Sequence, residues 1–159
     1  MIVIALGANL PSPLGPPAET LTQVLSLLAQ RSITIERQSG FYRSVAWPNP
    51  QDPSFINAVA SIRTALAPAD LLKLLHDVES LCGRERGAPN SPRSLDLDII
   101  DYDGRVQSGP PVLPHPRMHT RLFVLCPLSE IAPDWHHPVS GLSVSQLIAA
   151  LPDSEIQRI

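Results

Sequence analysis

Residues 92–101, Pro-Arg-Ser-Leu-Asp-Leu-Asp-Ile-Ile-Asp, constrain this chain more than any other stretch. They read as a buried strand with two carboxylates, Asp96 and Asp98, inserted at alternating positions. Strand side chains alternate between faces, so the two point the same way, about 6.6 Å apart along the chain. Leu95, Leu97 and Ile99 take the other face and can enter a core. Aspartate is a poor strand former, and burying it without a partner is costly. Two adjacent anions also repel each other unless a cation lies between them. The pair therefore implies one or two Mg2+ ions and, with them, a phosphorylated substrate. A plain structural alternative puts both residues at the edge of a sheet, solvated or paired with arginine. The Leu/Ile flanks argue instead for a central strand, and Arg84, Arg86 and Arg93 stand close by in sequence. Carboxylates for metal and arginines for developing charge are the parts phosphoryl transfer needs.

Charge distribution points the same way. There is one lysine, Lys73, against eleven arginines, and six of these lie between Arg84 and Arg121. Codon bias explains the ratio but not the clustering. Guanidinium forks bind phosphate oxygens in pairs, so a local cluster suits a small polyphosphate. The net charge of −3 argues against a general polyanion-binding face, and so against nucleic acid as a partner. With 159 residues, 43% hydrophobic and 17% charged, the chain is expected to form one domain, 1–159, with a real core. Cys82 and Cys126 are too few for a disulfide framework or a cysteine zinc site. The N-terminus reads as a first strand rather than a signal peptide, and no apolar run is long enough to span a bilayer. A cytoplasmic location is expected.

Periodicity sets the order of elements. Residues 2–6 form a short apolar strand ending in a turn at Gly7-Ala8-Asn9. Leu21, Val24, Leu25 and Leu28 recur at helical spacing, which predicts a helix over 17–30. Residues 33–42 and 55–64 read as strands, separated by a proline-rich loop at 43–53 containing Trp47. Pro68 opens a second helix and Gly83 ends it; on it, the plain alternative for both His76 and Glu79 is a solvated helix residue. The loop 84–92 leads into the Asp strand, and Asp103-Gly104 signals a hairpin returning through Arg105-Val106. Residues 123–131 are partly helical, His136-His137 lie in a solvated loop, and Ser143 caps a last helix. The order β-α-β-β-α-β predicts an α+β fold: a ferredoxin-like sandwich with a mainly antiparallel sheet and C-terminal additions.

Two further clusters carry chemistry. His115 and Arg121, in the segment from Pro114 to Phe123, suit phosphate or ribose. Phe55 and Asn57 share one strand face, and a buried asparagine needs partners. A flat heterocycle with an amide-like edge would stack on the ring and pair with the carboxamide. The P-loop, G-x-G-x-x-G, H-E-x-x-H and G-x-S-x-G patterns are all absent, so a nucleotide site must be built from Asp, Arg and loops.

Taken together these segments resemble one family, the 6-hydroxymethyl-7,8-dihydropterin pyrophosphokinases of folate biosynthesis. The resemblance rests on Leu6-Gly7-Ala8-Asn9-Leu10, Phe41-Tyr42-Arg43-Ser44, Phe55-Ile56-Asn57-Ala58, and Glu79 followed by Gly83-Arg84-x-Arg86. It continues through the Pro92–Ile99 stretch, Pro114-His115-Pro116-Arg117-Met118, and the run from Arg121 to Pro133. It implies transfer of pyrophosphate from ATP to a pterin hydroxymethyl group, with AMP released, by a monomeric enzyme. Asp96 and Asp98 would bind two Mg2+ ions. Arg84 and Arg93 would contact phosphates, and His115 and Arg121 would help hold ATP. Ile99 would sit beside the adenine with His76 near it. Phe55 and Phe123 would sandwich the pterin, Asn57 would read its edge, and Ser44 would complete its recognition, with Asp96 beside it. The loops 43–53 and 84–92 become expected lids. Many members carry a tryptophan just before Pro-Arg, where this chain has Ala88-Pro89-Asn90-Ser91. Two other readings remain open at this level. A nucleotidyltransferase using the same Asp pair would release pyrophosphate, and a non-catalytic binding module would not need the Asp pair.

Overall fold

The computed structural model describes residues 1–85 and 87–159, so Arg86 lies outside the described residues. Among the described residues, eight strands and four α-helices follow one another: β1 (Ile2–Ala8), α1 (Pro17–Ala29), β2 (Thr34–Gln38), β3 (Tyr42–Ser44), β4 (Phe55–Arg63), α2 (Pro68–Leu81), β5 (Asp96–Tyr102), β6 (Gln107–Ser108), β7 (Val112–Leu113), α3 (Leu122–Ile131), α4 (Val144–Ala149) and β8 (Ile156–Arg158). The main sheet runs β5-β1-β4-β3-β8, with β2 also paired to β4, and every pairing is antiparallel. This is the expected ferredoxin-like sheet, but β5, expected from its Leu/Ile flanks to be central, lies at the sheet edge beside β1, its apolar residues buried by the helices packed on either face.

Helix placement follows from the apolar stripes. Leu21, Val24, Leu25 and Leu28 of α1 and Leu71, Leu75 and Val78 of α2 are buried against one sheet face, where Ile4, Leu6, Ala58, Ile62, Leu97 and Ile99 meet them. Val124, Leu125, Leu128 and Ile131 of α3 cover the other face over Val3, Val59 and Ile100, with Val144 and Leu147 of α4 behind. Prolines begin both α1 and α2, where a missing N–H is harmless. Ser143 and Gln146 form a capping box on α4. Alternation puts Ile99 and Ile100 on opposite faces of β5, Ile100 entering the α3 core, and the register shift between Val3 and Ile4 then brings Tyr102, rather than Asp101, back into the α1/α2 core.

Several expectations change in detail. The strand predicted over 33–42 divides into β2 and β3, pairing with the C-terminal and N-terminal halves of β4. At the break, Ser39 folds inward: its N–H donates to the Val59 carbonyl at 2.9 Å and its hydroxyl accepts from the Val59 N–H at 3.0 Å. Gly7 and Ala8 continue β1 rather than turning. The Asp103-Gly104 turn exists, both residues having positive φ, yet residues 105–106 do not pair with β5; the small hairpin is β6 with β7. Glu79 is not solvated but 2% exposed, because the β5 backbone and Arg84 supply its partners. His137 is buried as well, its Nδ1 accepting from the Val139 and Ser140 N–H groups, while His136 is exposed as expected. Strand β8 had no counterpart among the expected elements.

Candidate functional site

The site lies where α3 stops covering its face of the sheet. Strand alternation puts Asp96 and Asp98 of β5, Ala5 and Gly7 of β1, and Phe55 and Asn57 of β4 on this face. Register then lines up one row across the sheet: Asp96 opposite Gly7, Gly7 opposite Asn57, Asn57 opposite Tyr42, and Tyr42 opposite Arg158. With strands about 4.8 Å apart, Asp96 and Asn57 stand roughly 10 Å from each other. Gly7 between them has no side chain. A Cβ there would come within 3.3 Å of Asn57 Oδ1 and 3.8 Å of Phe55 Cδ1.

Above this row opens a cavity of about 560 Å³. At one end it is lined by Arg84, Arg93, Asp96, Asp98, His115 and Arg121, and at the other by Ser44, Phe55, Asn57 and Phe123. Trp47 and Asn90, one from each expected lid loop, also reach it. The structure thus brings ten of the twelve expected site residues together. Ile99 and His76 are not among them. Ile99 is 3% exposed in the α1/α2 core because alternation turns it away from Asp98. His76 is a half-buried residue of α2, the helix packed beneath the sheet.

The acidic end is organised by arginine. Arg84 Nη1 donates to Glu79 Oε1 at 2.7 Å and Asp96 Oδ1 at 2.8 Å, while Arg93 Nη1 reaches Asp96 Oδ2 at 3.2 Å. Buried Glu79 also accepts the Leu97 N–H at 2.8 Å, which ties the Arg84 anchor to the Asp strand. Asp98 is less well compensated. Burial and the neighbouring Asp96 push its carboxyl up to about 6, against the pull of Arg121, Arg84 and Arg93. His115 Nε2 lies 3.7 Å from Asp98 Oδ2. Burial, with Arg121 and Arg117 nearby, lowers His115 to about 4, so the ring is neutral at ordinary pH. Its Nδ1 accepts the Arg117 N–H at 3.1 Å, which leaves the proton on Nε2, facing Asp98. Burial and Arg117 also lower Arg121.

The aromatic end is built around a satisfied donor. Asn57 Nδ2 donates to Ser44 Oγ at 2.8 Å and to the Tyr42 carbonyl at 3.3 Å. That fixes the carboxamide plane. Arginines from the acidic end cover both rings, Arg93 Cζ lying 5.9 Å from the Phe55 centroid and Arg121 Cζ 5.4 Å from that of Phe123. The two halves are therefore physically joined.

Asn9 is a site residue that sequence reasoning treated only as a turn. It is 4% exposed and holds the 43–53 and 84–92 loops at their bases. Its Nδ2 donates to the Pro53 carbonyl at 3.1 Å, and its Oδ1 accepts the Arg93 N–H at 2.8 Å. The Asn9 and Leu10 N–H groups both donate to the Arg93 carbonyl at 3.1 Å. Gly7 and Glu79 were missed in the same way. The available signal was the presence of all three in segments that carry the family resemblance.

Among the described residues no cluster of three or more His, Cys, Asp or Glu side chains forms a ready metal cage. Two carboxylates facing an open cleft still suit Mg2+, which keeps several waters and takes its other ligands from substrate phosphates. Burial first, and then the neighbouring Asp96, raise the Asp98 carboxyl, so a cation beside the pair would favour its charged form.

An acid pair, an arginine cluster and two phenylalanine rings in one cleft of a ferredoxin-like sandwich fit the class of phosphoryl-group transferases with a small ring-bearing acceptor. Known proteins make this specific. Residues 3–133 match the family model for 7,8-dihydro-6-hydroxymethylpterin-pyrophosphokinase (HPPK). The 2-amino-4-hydroxy-6-hydroxymethyldihydropteridine pyrophosphokinase of Synechocystis is 43% identical over 92% of this chain and 73% of its own. That of Pseudomonas aeruginosa is 36% identical over 99% and 96% respectively. The folic acid synthesis protein fol1 of Pneumocystis carinii is 33% identical over 99% of this chain, which corresponds to 21% of that much longer protein. The crystal structure of an HPPK-DHPS in complex with substrates superposes with a TM-score of 0.71 over 94% of this chain and 42% of that one, at 12% identity. The chain belongs to the HPPK family, the pyrophosphokinases of folate biosynthesis.

Proposed function

We propose that this cavity transfers the diphosphoryl group of ATP to the hydroxymethyl oxygen of 6-hydroxymethyl-7,8-dihydropterin, releasing AMP, with Asp96 and Asp98 holding two Mg2+ ions. The observation that carries the reading is the single row Asp96–Gly7–Asn57, which sets a carboxylate- and arginine-lined end and an aromatic, carboxamide-bearing end in one cleft, as a polyphosphate and a heterocycle would require. Bound Mg2+ would supply charge neutralisation on the phosphate oxygens and lower the pKa of the attacking alcohol. The chain's own residues do the rest.

Phe55 and Phe123 stack the pterin, and Asn57, its amide plane held by Ser44, reads the edge. Arg84 and Arg93, now engaged with Asp96, turn their remaining donors to the transferring group as charge builds on it. Arg121 and the Nε2–H of neutral His115 hold ATP phosphate or ribose oxygens. The loops bearing Trp47 and Asn90 exclude water that would otherwise take the diphosphoryl group. Ile99 and His76 are left with at most a backbone or peripheral part in holding the adenine. All the residues lining the cavity come from one sheet and its connections, which supports a monomeric, single-domain enzyme.

Nucleotide chromatography tests the reaction. With Mg2+, ATP and the pterin, AMP should appear in step with the pterin diphosphate, and Asp96→Asn or Asp98→Asn should lower turnover about a hundred- to a thousandfold, a loss typical of an essential electrostatic group. ADP as the nucleotide product, or pyrophosphate with AMP left on the acceptor, refutes it.

A further inference from the structure

The row that joins Asp96 to Asn57 does not stop at the cavity. It continues through Tyr42 of β3 to Arg158 of β8. Strand β3 is only three residues long and carries Ser44, the acceptor that orients Asn57. It is held from both sides. Its inner neighbour is β4, and on its outer side Tyr42, Arg43 and Ser44 pair with Arg158, Gln157 and Ile156 of β8. The Ile159 N–H closes the end of this ladder on the Phe41 carbonyl at 2.9 Å. Without β8, a three-residue strand would become the sheet edge, followed directly by the proline-rich loop.

A side-chain latch fastens the same corner. Glu130, near the end of α3, accepts from Arg158 Nη2 at 3.1 Å and Nε at 3.2 Å, from the Tyr42 hydroxyl at 2.8 Å, and from the Gly40 N–H at 2.9 Å. The Arg158 hydrogen bonds hold the Glu130 carboxyl down at about 2, so the latch stays ionised at any working pH. Glu130 thus ties β8 and β3 to α3, the helix whose first turn presents Phe123 to the cavity. The two walls of the aromatic end, Ser44 with Asn57 and Phe123, are referenced to each other here. The family match ends at residue 133, so Arg158 and all of β8 lie outside it.

We propose that β8, latched by Arg158 onto Glu130, is a positioning element for the pterin end of the cavity. The proposal rests on the pterin reading above. Arg158 touches no substrate; it acts through β3 and Ser44. An exposed ion pair adds little to stability, and the Arg158 side chain is 60% exposed. The effect of losing it should therefore appear in pterin affinity rather than in unfolding.

Arg158→Ala and Arg158→Lys test this in the full chain. Pterin binding is read by its own fluorescence, nucleotide binding by titration with a non-hydrolysable ATP analogue and Mg2+, and stability by thermal midpoint. Arg158→Ala should weaken pterin binding about three- to tenfold with nucleotide binding unchanged within about twofold, and Arg158→Lys should fall between it and wild type. Unchanged pterin binding in Arg158→Ala overturns the proposal, whatever happens to the midpoint. Equal weakening of both ligands also overturns it, because that signals general loosening. A wild-type chain that binds no pterin defeats this proposal and the functional reading together. Pterin binding that follows the expected pattern without AMP production defeats only the assigned reaction.

Discussion

Asp98 is held where a carboxylate is poorly accommodated. Burial and Asp96 raise it to about 6, while its salt partners are indirect. Because the folded value lies above the ordinary one, the charged form is disfavoured by folding. That destabilisation is fully present above about pH 6 and fades as pH falls toward 4. Asp98→Asn should accordingly stabilise the metal-free protein at about pH 8. Allowing for screening of a side chain that is 35% exposed, the gain should be about 1 kcal/mol and nearly vanish at about pH 4. Denaturant melts of both proteins across that range would measure it, and a gain independent of pH would show that the Asp98 charge is not the cause. Gly7 makes the complementary case. Its missing Cβ leaves the space over Asn57 and Phe55, so Gly7→Ala should raise the pterin KM severalfold with the fold intact. Steady-state kinetics with a circular dichroism control would decide it.

At the scale of elements, the site depends on how strand ends and loops are tied together. Asn9, just beyond the end of β1, holds the base of the 43–53 loop through Pro53 and positions Arg93 through its backbone. Asn9→Asp keeps the shape and the acceptor facing the Arg93 N–H, but sets a carboxylate oxygen against the Pro53 carbonyl. A buried pair of acceptors without a proton costs about 1–3 kcal/mol. The expected result is a loss of that size in denaturant stability together with at least a tenfold fall in kcat/KM, since both lids share the anchor. Wild-type kinetics in Asn9→Asp would mean the two loops are positioned independently. Glu79 plays a similar part from α2, joining the Leu97 N–H and Arg84. A buried carboxylate on a helix is costly unless paired, and here its partners come from elsewhere in the chain.

At the scale of the whole molecule, ligand binding should stabilise the fold, because the cavity draws on β1, β3, β4, β5 and α3 together. A Mg2+-dependent ATP analogue at a hundred times its Kd should add about 2.7 kcal/mol, and omitting Mg2+ or introducing Asp96→Asn should remove most of that gain. Thermal shift at matched concentrations checks it; an equal shift without Mg2+ would argue against metal at the Asp pair. The patterns legible in the sequence are the local ones. Period-two alternation placed Asp96 with Asp98 and Phe55 with Asn57, and period-3.6 stripes placed α1 and α2, because both depend only on residues a few positions apart. Alternation also shows that Ile99 faces away from Asp98, which the family resemblance alone does not reveal. Where a short strand stops is less legible: Ser39 divides β2 from β3 through a bond to Val59, twenty residues away. The burial of Glu79, the clamp at Asn9 and the addition of β8 were decided by tertiary structure alone. So was the row Asp96–Gly7–Asn57–Tyr42–Arg158. Its members come from five strands, and only the hydrogen-bond register between those strands, which no local stretch encodes, makes them neighbours.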